Sequence, residues 1–141
     1  MTIGTYTDSV YDAVREYVLA NWTACRIRWP NEDFEEPRDG WIAFEIFGTS
    51  YGQQTFGMDE QTDNRWDEDG HIWFHVITPR GSGSSNARGT AKALANLFRG
   101  KRLLGDDLQF MDAMIGPGAA ADENGMWFRT SVEIEWRFWN A

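Results

Sequence analysis

The sequence predicts an α+β fold, a mainly antiparallel sheet with two helices packed on one face. Two segments repeat apolar residues at helical spacing, and several others read as strands. Their order along the chain is helix, strands, helix, strands, which lets both helices cover the same side of one sheet. A length of 141 residues suits a single domain, residues 1–141, without a second core. A chain of this size buries roughly 68% of the surface its unfolded form exposes, so it needs no disulfide or metal staple. Cys25 is the lone cysteine, and no internal bridge can form.

The first helix is expected over Thr7 to Trp22, where Val10, Val14 and Val18 form a stripe flanked by Tyr11 and Tyr17. Thr7, Asp8 and Ser9 supply capping oxygens and a first-turn carboxylate. A short strand, Arg26 to Trp29, is stopped by Pro30, and Asn31 to Gly40 reads as an acidic loop. Trp41 to Phe47 and His71 to Thr78 are apolar on alternate and intervening positions alike, the pattern of strands inside a sheet. Between them, Gln53 to Gly70 is too long for an ordinary connection and reads as part strand, part long hairpin loop. The second helix is expected over Ser84 to Arg99, with Ala87, Ala91, Leu94, Ala95 and Phe98 facing the sheet and Gly100 at its C′ position. Leu103 to Ile115 is expected as a strand, after a turn at Gly105–Asp106, and Gly116 to Gly125 reads as a hairpin tip. The last strand is the clearest: from Met126 to Phe138, apolar and polar residues alternate with a period of two. Its polar face, and the aromatic residues on neighbouring strands, imply a sheet face that calls for a partner.

Net charge is −9, from 22 acidic and 13 basic residues, which argues against a sequence-independent grip on nucleic acid. Aromatic residues make up 15%, with eight tryptophans, more than a small core needs, and such rings are enriched at protein contacts. No apolar run approaches the roughly 20 residues of a membrane-spanning helix. The N-terminus has neither a basic n-region nor an apolar h-region, so the expectation is a soluble protein without a secretory signal.

Each candidate for chemistry fails on spacing or surroundings. Gly81-Ser-Gly-Ser-Ser before a helix lacks the Gly-Lys-Ser/Thr ending of a phosphate loop, and Asn86 stands where a dinucleotide fingerprint needs glycine. His71 and His75 would chelate a metal on a helix, but four residues of strand separate them by about 13 Å. Glu133 and Glu135 lie roughly 6.6 Å apart along one face, within the range of an inverting glycosidase pair. Arg129 and Arg137 share that face and would keep both ionised. Aligning Gly70 with the invariant glycine of a calcium loop puts Arg65 and Val76 at ligand positions, and no serine sits in a nucleophile elbow. The expectation is no catalytic residue, no metal and no cofactor.

The pattern resembles the phage tail-terminator family, in the branch of short proteins of siphophage-type and gene-transfer particles. Trp29-Pro-Asn31 with Phe34 and Pro37, and Trp41-Ile-Ala-Phe44 leading to Gln53–Gly57, carry the first half of the resemblance. Gly70-His-Ile-Trp-Phe-His-Val-Ile-Thr-Pro79, Ala93 to Phe98, and Gly125-Met-Trp-Phe128 leading to Ile134 and Phe138 carry the rest. It spans residues 8 to 138 and rests on structural positions. The resemblance implies a homo-oligomer, a hexameric ring on the head-proximal end of a virion tail, assembled in the bacterial host cytoplasm. Its partners would be the tail tube protein and the head–tail connector or neck protein. DNA would slide through the lumen unbound, and an acidic lumen would repel it. Asp59, Glu60, Asp63, Asp67, Glu68 and Asp69 are the candidate lumen- or tube-facing residues. Rival readings are a neck adaptor, head-completion or tube protein of the same particle, and a carbohydrate-binding module or glycosidase using the tryptophans.

Overall fold

The computed structural model describes residues 6–53, 66–81, 85–116, 118–120 and 126–140. Helix α1 spans Tyr6–Asn21. Strands β1 (Ile27–Arg28), β2 (Trp41–Gln53) and β3 (Trp66–Pro79) come next, followed by helix α2 (Ser85–Phe98). Strands β4 (Arg102–Leu103), β5 (Leu108–Ile115), β6 (Ala119–Ala120) and β7 (Trp127–Asn140) complete the order. Among the described residues the strands form one sheet in the order β1-β2-β3-β7-β5-β4, with β6 also on β7. All pairings are antiparallel except that of β1 with β2.

The alternation in the last strand sets the layer structure. Val132, Ile134, Trp136 and Phe138 are buried, and the unbroken β3–β7 register places Phe74 opposite Val132 and Ile72 opposite Ile134. Ile42 and Phe44 of β2 and Leu108 and Phe110 of β5 continue the same apolar face. Both helices lie on it: Val10, Val14 and Val18 of α1 and Ala87, Ala91, Leu94 and Phe98 of α2 join one hydrophobic cluster with the strands. The small alanines allow α2 close to the sheet, and Gly100 adopts φ 67° just past its end, as a C′ residue should.

Three expectations need adjustment. β2 is second from the edge, beside a two-residue β1, and Glu45 and Phe47 on its other face are exposed. On that face Phe47 is exposed, while Trp41 is buried against Trp127. The strand expected from His71 begins at Trp66, because Asp67, Glu68 and Asp69 pair with both β2 and β7. Ala119 and Ala120, assigned to a hairpin tip, pair with Arg129 and Phe128 as β6.

The helices are tied together by Tyr17, whose hydroxyl donates to the Leu97 carbonyl at 2.6 Å while its ring packs edge-on to Phe98. Tyr17→Phe keeps the ring and removes the bond, so urea unfolding should show a loss of roughly 0.5–1.5 kcal/mol with an unchanged slope. Burial also raises the Tyr17 pKa. It does the same for the Cys25 thiol, and it is the main cause of the rise at Tyr11, reinforced by the Glu32 carboxylate. All three groups hold their protons more tightly when folded. Their stabilisation is complete below the unfolded-state values and lost as pH climbs through the folded ones. Thermal unfolding should therefore show Tm falling above about pH 9, the lower limit of these unfolded-state titrations.

Candidate interaction surface

The sheet face away from the helices carries the side chains that a core does not use. Alternation brings Ala43, Glu45 and Phe47 of β2 beside His71, Trp73 and His75 of β3, then Ser131, Glu133 and Glu135 of β7. These polar groups satisfy each other across strands. His75 shares a hydrogen bond with the Ser131 hydroxyl at 2.6 Å through Nδ1, and its Nε2 lies 3.4 Å from Glu45 Oε2. His71 Nδ1 is 2.6 Å from Glu133 Oε1. Arg137 Nε donates to Asp69 Oδ1 at 3.0 Å. The ring of Trp73 stacks on His75 at 5.8 Å. Such cross-strand pairs hold the three middle strands in register.

The geometry separates the chemical candidates. The two histidines each turn to their own carboxylate, and among the described residues no three His, Cys, Asp or Glu side chains gather as a metal site. Arg137, expected to hold the glutamates ionised, pairs with Asp69, while Glu133 is held by His71. The sequence could not show this, because His71 reaches Glu133 as a diagonal neighbour fixed by the strand register. Trp41 is not part of a flat exposed platform: it is buried edge-on to Trp127 at 4.7 Å and lies 6.3 Å from Phe34. Gly81 has φ 86°, and residues 82–84 of the glycine-rich turn lie outside the described residues.

Of the six acidic candidates, Asp59, Glu60 and Asp63 lie outside the described residues. Asp67 and Asp69 project from β3 on the open face, half-buried. Glu68 is on the helix-covered side and only 7% exposed, part of the wall rather than of a surface.

Sequence reasoning missed the sheet edges. β1 covers only Ile42 and Ala43 of β2, and β4 covers only Leu108 and Gln109 of β5. Beyond those short caps, β2 and β5 have no outer strand neighbour among the described residues. On β5 the uncapped stretch carries Met111 and Met114, 49% and 69% exposed. The sequence signal was Leu108 to Ile115 itself, an apolar strand with a single charge, Asp112. Neither described helix is long and apolar enough to cross a membrane.

One solved structure with this fold is 19% identical, covers 96% of each chain and superposes with a TM-score of 0.66. No curated protein matches the sequence. The family model described as "Phage tail terminator protein" matches residues 9–136, nearly the full length. That match spans both helices and almost all of the sheet, so the chain belongs to the phage tail terminator family, a family of structural virion proteins.

Proposed function

We propose that this protein forms a closed ring of six copies on the head-proximal end of the tail tube, where it stops tube growth and presents the joining surface for the head. The observation that carries the reading is the pair of minimally capped sheet edges on opposite sides of one domain. Native sheets normally guard such edges with charge, proline or bulges, and here each carries a register shift, at Gly48/Ser50 in β2 and at Phe110/Ala113 in β5, which restricts what can pair there. Two different edges that meet between copies make a head-to-tail contact, and a head-to-tail contact whose rotation closes gives a ring. The work is mechanical: the ring acts as no enzyme and needs no cofactor.

Termination then follows from competition for an end. Tube subunits add until the ring's lower surface occupies the growing rim, and its upper surface refuses a further tube ring. The rivals within the same particle, a neck adaptor or tube protein, differ in which rim they occupy. DNA passes through the lumen without specific binding. Asp59, Glu60, Asp63, Asp67 and Asp69 line that lumen or face the first tube ring, where negative charge keeps DNA sliding. Adding the purified protein to polymerising tube subunits tests this directly. Tubes should shorten as the ratio of terminator to tube protein rises; a length distribution that ignores the ratio contradicts the function.

A further inference from the structure

The two flanks at opposite ends of the sheet differ in charge as well as in shape. Residues 85–116, α2 through β5, hold five basic and three acidic residues, a net +2 in a chain of net −9. Residues 26–47, β1 through the edge of β2, hold three basic and six acidic residues, a net −3. Each flank has its own groove. Between α2 and β5 lies one of about 460 Å³, bordered by Met111 and Ile115, with Lys92 and Arg99 outnumbering Asp112 among its charged residues. At the end of α1 lies another of about 250 Å³, lined by Leu19, Trp22, Cys25 and Phe34, with Glu32 and Asp33 outnumbering Arg26 among its charged residues. Leu19 and Met114 are both more than half exposed, so each flank presents an apolar side chain.

We infer that the α2–β5 flank of one copy seats on the α1–β1 flank of the next, Met114 and Met111 meeting the Leu19–Trp22–Phe34 groove and Lys92 and Arg99 facing Asp33, Glu35 and Glu36. The occupant of each flank is therefore a second copy of this chain. The charges argue for the opposite flank and against the same one, since two basic flanks or two acidic flanks would repel. Apolar contact at the centre with charges at the rim is the usual anatomy of such an interface. The rim makes association weaken as salt rises, because exposed charges are screened within about 8 Å at physiological ionic strength.

This inference rests on the ring reading, and one experiment separates the two. In a Cys25→Ser background, Leu19→Cys and Met114→Cys are made singly and together, then treated with a short bis-maleimide and resolved by denaturing gel, with sedimentation of untreated samples alongside. Both positions are exposed, and circular dichroism checks the fold. The expected result is a ladder from the double variant that ends at the mass of the sedimenting oligomer, with no product from either single variant. A dimer from Met114→Cys alone overturns the head-to-tail pairing. Oligomers that form, free or on tail-tube ends, but give no ladder overturn these flanks while leaving the ring; absence of any oligomer both free and on tube ends overturns the ring reading itself. Arg99→Glu should weaken self-association by roughly tenfold or more, like charges face to face being strongly unfavourable. The added Glu35→Lys and Glu36→Lys changes should restore it, a rescue that a merely structural role of Arg99 would not give.

Discussion

Replacing Gly70 with alanine is expected to destabilise the protein by roughly 3 kcal/mol or more, among the largest effects of any single added methyl group. Gly70 lies in β3 between Gly48 of β2 and Trp136 of β7. A β-carbon there would overlap the Phe47 carbonyl oxygen and come within 2.6 Å of Trp136 Cε2. Neither neighbour can yield cheaply. One is backbone in a paired strand beside a register shift, and the other is an indole buried to 1% exposure. The glycine is therefore a requirement of packing, set where the two longest cross-strand pairings converge. Differential scanning calorimetry should show Tm lowered by more than about 8 °C. An unchanged Tm would mean that the indole does not cover Gly70.

Phe74→Ala should cost roughly 3–5 kcal/mol, the range for truncating a buried phenylalanine. Phe74 is fully buried in the central strand, with ring centroids 5.2 Å from Phe44 and 5.7 Å from Phe98. It is the point where β2, β3 and α2 meet, and removing the ring leaves a cavity whose three walls come from different elements. None of them can collapse without moving its neighbours. Chemical denaturation should report the loss as a lower midpoint. Glu135→Gln, an exposed change on the opposite face, serves as the control and should stay within about 0.5 kcal/mol.

The parts of the fold that were legible in the sequence are those encoded locally. The alternation of Met126 to Phe138 located β7 and its buried face, and the alanine-rich stripe ending at Gly100 located α2. Strand order was not legible, because β7 joins β3 to β5 through contacts distant in sequence. That gap also hid the edges: nothing local says that β5 is capped for only two residues, or that Met111 and Met114 lie on the surface. The apolar residues of β2 pointed to burial on two sides, yet Phe47 is 47% exposed and Trp41 is covered by Trp127, a residue 86 positions away. Strand register and sheet edges emerge only when the sheet is assembled.

The same division applies to the charged groups. Counting residues gave a net charge of −9, but not its separation into a net-positive α2–β5 flank and a net-negative β1–β2 flank. Nor did it give the pairing of Arg137 with Asp69 in place of the glutamates. Asp67, Glu68 and Asp69 were readable as an acidic cluster, and the strand alternation then divides them, placing Glu68 on the covered face.

Cryo-electron microscopy of purified tails tests the central claim most directly. The account predicts one ring of six copies at the head-proximal end of the tube, each copy touching the next through unlike flanks. Copies distributed along the tube, or a ring at the opposite end, would contradict it.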